Sequence, residues 1–296
     1  MADYFVISNP NSERLAKKIA KKIGGEYLKT QLKVFPDGES RLSIPKYVNN
    51  GTIVVVSSTS PPVDSNLVRT LSLISKSSEM TSNVIAVVPY MGYAKQDKEF
   101  LKGEIITISV IAKLFKAAGA KQLIVVDFHS PSALNFFKIT ANNVSGISLF
   151  ARYFKKLKLK TPLVVSPDMY WKPNAEEFAK SINTTAIALN KQRDRKTGKL
   201  VITQPFPEFS KGRDLIIFDD MVSTGGSILK TIQFLKRENF GKIYVVCTHP
   251  VLVGNSERRI KDAGVLEIIG TNSIEGKFSK IDLSGVISKA IKDGKQ

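Results

Sequence analysis

The sequence predicts an α/β protein in two halves, each a mainly parallel sheet flanked by helices. Three observations predict it. Nine short β-branched runs recur along the 296 residues, and stretches with apolar residues at helical spacing separate most of them. A polar junction near Asn142–Ser145 then divides the chain into parts of similar size. This alternation reads as parallel strands joined by crossover helices that cover both faces of a sheet.

In chain order the predicted strands are Tyr4–Ser8, Ile53–Ser58, Val84–Pro89, Leu123–Asp127, Leu163–Ser166, Thr185–Leu189, Leu215–Phe218, Ile243–Cys247 and Leu266–Ile269. A first helix is expected over 11–22, with Leu15 and Ile19 on its apolar stripe and Asn11 or Ser12 as the cap before Glu13. Leu67/Leu71/Ile74, Ile108/Ile111/Leu114/Phe115 and Ile228/Ile232/Leu235 mark three more helices by the same spacing. The polar, Gly- and Pro-interrupted stretch 192–212 reads as a mobile loop or hairpin. LIVVDFHS (123–130) and LIIFDDMVS (215–223) echo one another as apolar strands ending in Asp, but the match is too short to establish a duplication.

Composition narrows the class. With 43% hydrophobic residues the chain can bury a real core, which excludes low-hydrophobicity disorder. The longest apolar runs span about half a dozen residues, far below the roughly 18 that cross a bilayer. Met1 leads directly into the strand-like DYFVIS, so no signal peptide is expected. The single cysteine, Cys247, has no intrachain disulfide partner, which agrees with a reducing cytoplasm. Of the 44 basic residues 34 are Lys, and the net charge is +18. Runs such as KKIAKKI (17–23) and KKLKLK (155–160) fit solvated helix faces better than base readout, which favours Arg. Neither nucleic acid nor membrane is expected as a partner, while the basic field favours a polyanionic substrate.

Acids gather where parallel α/β sheets bind ligands, at the carboxyl ends of strands. Asp127, Asp168 and Asp219/Asp220 each end a strand, and His129 follows the first of them. Oxygen ligands with one imidazole suit Mg²⁺, held directly or through water, and do not resemble a zinc site. The sharpest stretch is IIFDDMVSTGGSI (216–228), a strand, two acids, a Ser-Thr-Gly-Gly-Ser turn and a helix start. Its glycines admit a phosphate to the backbone amides, its hydroxyls add donors and the helix end adds favourable partial charge. The acid pair suits the hydroxyls of a ribose. A Walker loop is excluded by the glycine spacing.

DDMVSTGGS resembles the phosphoribosyl-diphosphate loop of the phosphoribosyltransferase-type fold. FPDGES (35–40), SSTSPPVDSNLVRTLSLI (57–74), VVPYMGYAKQDKEFLKGEIIT (87–107), VVDFHS (125–130), VVSPD (164–168), NKQRD (190–194) and GKFSKIDLS (276–284) follow in an order similar to that of ribose-phosphate pyrophosphokinases. The resemblance covers nearly the whole chain and implies two phosphoribosyltransferase-like domains. They are expected over 1–143, with the ATP-contacting segments, and 144–281, with the ribose 5-phosphate loop. A terminal helix, roughly Leu283–Ile291 within 282–296, would pack back on the N-terminal domain.

The implied reaction moves the diphosphoryl group of MgATP to the C1 hydroxyl of ribose 5-phosphate, giving phosphoribosyl diphosphate and AMP. By the same resemblance Phe35, Asp37, Glu39, Lys95 and Gln96 contact ATP, and His129 and Asp168 hold Mg²⁺. Lys191 and Arg193 are catalytic, and Asp219, Asp220, Ser223, Thr224, Gly225, Gly226 and Ser227 hold ribose 5-phosphate. The resemblance also implies a homodimer or higher homo-oligomer, in which FPDGE reaches a neighbouring active site, and the expected location is the cytoplasm.

Three stretches depart from the family pattern. SPDMYWKP replaces a small Gly-Gly turn and its following Arg with bulky residues, Lys95 stands for Arg, and Lys138 and Asn142 stand where many relatives have acids. The first departure supports a second reading, an impaired paralogue that binds nucleotide and ribose phosphate and regulates an active synthetase. A phosphoribosyltransferase would explain DDMVSTGGS but not FPDGE, PYMGYAKQD or a second α/β half.

Overall fold

In the computed structural model all nine expected strands form, with ends shifted by a few residues. The structure describes residues 3–189, 212–235 and 239–294, together with the backbone of 191–193 and 200–202. Two compact units result: Met1–Ser145 with Asn272–Gly276 and Asp282–Gln296, and Gly146–Thr271 with Lys277–Ile281.

The first unit opens with β1 (Tyr4–Ser8), α1 (Glu13–Ile23) and β2 (Glu26–Tyr27). A hairpin of β3 (Gln31–Val34) and β4 (Ser40–Ser43) follows, then β5 (Thr52–Val56), α2 (Val63–Ser78), β6 (Asn83–Val88), α3 (Thr107–Ala117), β7 (Gln122–Val126) and β8 (Thr140–Val144). The second unit holds α4 (Ile147–Phe154), β9 (Leu163–Ser166), α5 (Lys172–Ser181), β10 (Thr185–Ala188), β11 (Lys191–Arg193) and β12 (Leu200–Ile202). It continues with β13 (Leu215–Val222), α6 (Gly226–Leu235), β14 (Ile243–Pro250), α7 (Ser256–Asp262), β15 (Glu267–Thr271) and β16 (Ser279–Ile281), before α8 (Ser284–Asp293) returns to the first unit.

Each unit has one six-stranded sheet, and every pairing in both is parallel. The orders are β2-β1-β5-β6-β7-β8 and β10-β9-β13-β14-β15-β16. Renumbered within each unit, both read second, first, third, fourth, fifth, sixth. In both, a two-stranded antiparallel ladder (β3–β4 or β11–β12) interrupts the chain between the second and third strands. The likeness of the halves is thus topological. The sequence echo does not trace it, because LIVVDFHS supplies a fifth strand and LIIFDDMVS a third. The third strand of the first unit is β5, which runs into SSTS and carries no acid.

Side chains on successive strand residues point to opposite faces, so a strand covered on both sides reads as a continuous apolar run. Val164, Ile216, Phe218, Val246 and Ile269 pack with Phe150, Phe154 and Phe178 of α4 and α5. The alternate residues Val165, Ile217, Val245, Cys247 and Ile268 pack with Ile228, Ile232 and Ile260 of α6 and α7. In the first unit Phe5, Ile7, Ile53, Val55 and Val84 share a core with Leu73, Ile74, Ile108 and Phe115 of α2 and α3.

Ser12 takes the N-cap position of α1, as expected, but without a capping side-chain hydrogen bond. Ser12 Oγ accepts from the Ser58 amide at 2.9 Å and Asn11 Nδ2 donates to the Ser58 carbonyl at 2.8 Å, so neither side chain caps the helix. The exposed or polar strands β3, β4 and β8 fell outside the prediction because QLKV, SRLS and TANNV carry no buried run.

Candidate active site

In an open α/β sheet, ligands bind beyond the carboxyl ends of the strands where the order reverses. In the second unit that point lies between β9 and β13, which pair Leu163–Val165 with Leu215–Ile217, while β10 takes the other edge of β9. Asp168 follows β9, and Asp219 and Asp220 lie near the end of β13. The topology therefore brings these three predicted acids to the two switch-point strands.

Asp219 and Asp220 are buried, 8% and 3% exposed, inside a strand whose eight residues are all buried. Asp219 Oδ1 accepts from the Asp220 amide at 3.0 Å, and Asp220 Oδ1 accepts from the Met221 amide at 2.7 Å. Ser223–Gly225 then turns the chain into α6. The Leu252 amide donates to the Val222 carbonyl at 2.9 Å and the Val253 amide to that of Ser223 at 3.2 Å, which ties down the start of the loop. Gly225 has φ +74°, and a Cβ there would lie 3.0 Å from Ile260 Cδ1, so both conformation and space call for glycine. Gly226 opens the helix, while Thr224 and Ser227 are exposed and their hydroxyls make no hydrogen bond among the described residues. Free donors at a helix N-terminus, with two carboxylates beside them, suit a phosphorylated sugar.

Asp168 is half-buried and closes a turn, its Oδ1 accepting from the Tyr170 and Trp171 amides at 3.0 and 3.2 Å. Oδ2 is not spent on those bonds. The bulk of the SPDMYWK loop is divided. Trp171 is 4% exposed and packs into the core 6.2 Å from Phe218, whereas Met169 and Tyr170 are 48% and 53% exposed. Lys172 pairs with Glu176 on its own helix at 3.5 Å. Lys191 and Arg193 sit on extended backbone opposite Ile202 and Leu200, and their side chains lie outside the described residues. Beside Asp219, across from it on β14, Cys247 is fully buried, and burial, then the charge of Asp219, push its thiol up, away from the reactive thiolate form.

In the first unit Phe35, Asp37 and Glu39 form the turn of the β3–β4 hairpin. The Phe35 amide donates to the Glu39 carbonyl at 2.8 Å, and Asp37 Oδ1 accepts from the Glu39 amide at 3.0 Å. Both carboxylates are exposed, and the Phe35 ring is flanked by Lys33 Nζ at 5.1 Å and Arg41 Cζ at 6.0 Å. Lys95 and Gln96 are exposed on the loop after β6. There the Gln96 amide donates to the Tyr93 carbonyl at 2.8 Å, and the Tyr93 hydroxyl donates to Asp64. His129 is half-buried beyond β7, after Asp127 at φ +39°. Sequence reasoning missed Asn143, whose Oδ1 accepts from the Phe128 amide at 2.9 Å and shapes the His129 loop. Its strand, TANNV, carries no apolar signal.

Residues 4–119 match the family model for the N-terminal domain of ribose phosphate pyrophosphokinase, and residues 207–293 match that of the phosphoribosyl synthetase-associated domain. Ribose-phosphate pyrophosphokinase of Methanobrevibacter smithii is 32% identical over 97% of this chain and 100% of its own. The chain belongs to the ribose-phosphate pyrophosphokinase family. The homologue of Sulfurisphaera tokodaii in this family is also 32% identical, over 97% of this chain and 99% of its own. The crystal structure of phosphoribosylpyrophosphate synthetase from Mycobacterium smegmatis matches with a TM-score of 0.85 at 23% identity, covering 99% of this chain and 98% of that one. Family membership makes this chain a transferase, a ribose-phosphate diphosphokinase.

Proposed function

We propose that this chain transfers the diphosphoryl group of ATP to the C1 hydroxyl of ribose 5-phosphate, releasing AMP. The observation that carries the reading is the buried Asp219–Asp220 pair beside the turn that opens α6, at the switch point of its sheet. Asp219 and Asp220 accept the ribose hydroxyls. Amides and hydroxyls of Ser223–Ser227 hold the 5-phosphate, fixing C1 for attack on the β-phosphorus. Phe35, Asp37, Glu39, Lys95 and Gln96 hold ATP. Lys191 and Arg193 meet the negative charge that grows on the transferring group and the departing AMP.

The donors suit Mg²⁺, which takes one or two protein ligands and completes its shell with water and substrate phosphates. Asp168 keeps a carboxylate oxygen unspent by its turn, and among the described residues no cluster of three acids, His or Cys forms a closed cage for a more demanding ion. His129 of the first unit and Asp168 of the second are each a candidate ligand for the ion, which when bound offsets phosphate charge. No helix among the described residues is long and apolar enough to cross a membrane. Cytoplasmic placement and a homo-oligomer belong to the same proposal.

Purified protein with MgATP should form AMP only when ribose 5-phosphate is present, with a diphosphate on C1 by phosphorus NMR. AMP without the sugar phosphate, or none with it, would overturn the assignment.

A further inference from the structure

A cavity of about 710 Å³ opens between the β3–β4 hairpin and α2 of the first unit. Its wall includes Arg41, Arg69, Ser40 and Ser65 over the apolar side chains Leu42 and Ile44. Two arginines face it without an ion pair among the described residues, whereas the nearby Lys76 is neutralised by Glu79 at 2.5 Å. Arg69 is half-buried and is held by neutral acceptors alone. Its Nε donates to Ser40 Oγ at 3.0 Å and its Nη1 to Asn66 Oδ1 at 3.4 Å.

Asn66 is 3% exposed and is itself fixed, accepting from Asn9 Nδ2 at 2.8 Å and donating to the Ser60 carbonyl at 2.7 Å. A buried amide pair therefore sets the guanidinium in the wall. A guanidinium has five N–H donors, of which two are used here. Ser40 Oγ accepts from Arg69 and still has its own proton to donate. Three N–H donors of the Arg69 guanidinium are thus left for an anion, and a planar fork matches phosphate oxygens in pairs.

From this we infer that the cavity is a binding site for a phosphorylated small molecule, with its phosphate on Arg69 and Ser40 and its organic part over Leu42 and Ile44. Arg41 adds long-range attraction. Asp64, whose carboxylate already accepts from Tyr93, and Glu39 line the cavity too and suit hydroxyl or amino groups of the ligand. Glu39 is shared with the ATP contacts proposed above, whereas the phosphate-holding Arg69 and Ser40 are not among them.

Phenyl phosphate and inorganic phosphate are the probes, titrated into the full chain with the Arg69 Hε resonance as the local readout and calorimetry alongside. Phenyl phosphate should give a saturable shift and bind more tightly than inorganic phosphate, because its ring covers the apolar wall. Ser40→Ala should weaken it about tenfold, the value of a hydrogen bond to a charged group. By calorimetry Arg69→Gln should weaken it at least as much, and Arg69→Lys should restore only part because the fork is lost. No saturable shift, or an isotherm unchanged in both Arg69 variants, would overturn the site. Displacement of phenyl phosphate by ATP with the same Hε end-point would assign the cavity to the nucleotide substrate and equally overturn a separate site.

Discussion

The amide of Leu15 donates to Glu275 Oε1 at 2.7 Å, joining residues 260 positions apart. Leu15 is the third residue of α1, where an amide has no partner inside the helix. Glu275 thus fills the place that Ser12 leaves, and its charge also faces the positive end of the helix. Burial nevertheless outweighs those attractions and pushes the carboxyl above its ordinary 4.5. A raised folded pKa favours the native state fully below the unfolded value, and that contribution is lost as pH rises through the folded value. Glu275→Gln keeps an acceptor and removes the buried charge. It should match the wild type near pH 4 and exceed it in urea midpoint at pH 7, whereas Glu275→Ala should lose about 1 kcal/mol. A Gln variant weaker than the wild type at pH 7 would refute this.

Asp282 should behave in the opposite sense. Burial raises its carboxyl, but the Ser284 amide at the start of α8, Lys18 and Asn272 together hold it below the ordinary 3.8. Its contribution is present above the unfolded pKa and is lost as pH falls through the folded value. Asp282→Asn should be less stable than the wild type at pH 7, and the difference should shrink as pH falls below the ordinary 3.8 and through the folded value. A constant difference across that range would argue against the charge.

Lys191→Ala and Asp220→Asn should separate chemistry from binding. If Lys191 meets charge only in the transition state, its loss should lower kcat about 100- to 1000-fold with ATP affinity kept. Asp220→Asn should chiefly raise the KM for ribose 5-phosphate. Equal kcat after Lys191→Ala would remove it from the mechanism.

Trp171 should prove a core residue rather than an active-site obstruction. Trp171→Ala should cost about 3–5 kcal/mol through its cavity. Trp171→Phe should be far milder, since the buried Nε1 has no hydrogen-bond partner to lose. Tyr170→Ala, on an exposed side chain, should move the denaturation midpoint little, and calorimetry of the three variants checks the order.

Legibility followed burial. Strands such as TIVVV and LIIFDDMV were readable because both faces are covered and their runs are apolar. Asp219, Asp220 and Asp168 were readable because they end such runs. Hairpin strands with exposed polar residues gave no comparable signal, and Asn143 acts through a partner brought close only by the fold of β7 and β8. The bulk of SPDMYWK looked uniform in the sequence, yet Trp171 turns into the aromatic core while its two predecessors face solvent. The N-cap position of α1 was readable at Ser12, but the acceptor of the Leu15 amide was not, since no local pattern points to a glutamate near the other end of the chain.

That distant glutamate also sets an order of events at the ribosome. The first unit takes Asn272–Gly276 and Asp282–Gln296 from the far end of the chain, while every residue of the second lies between 146 and 281. Translation at about 5–20 residues per second leaves the N-terminal sheet on the order of ten seconds without its last helix. The half made first is therefore the half finished last. A nascent chain stopped just short of α8 would leave the early unit, and not the late one, with an uncovered apolar face for chaperones to hold.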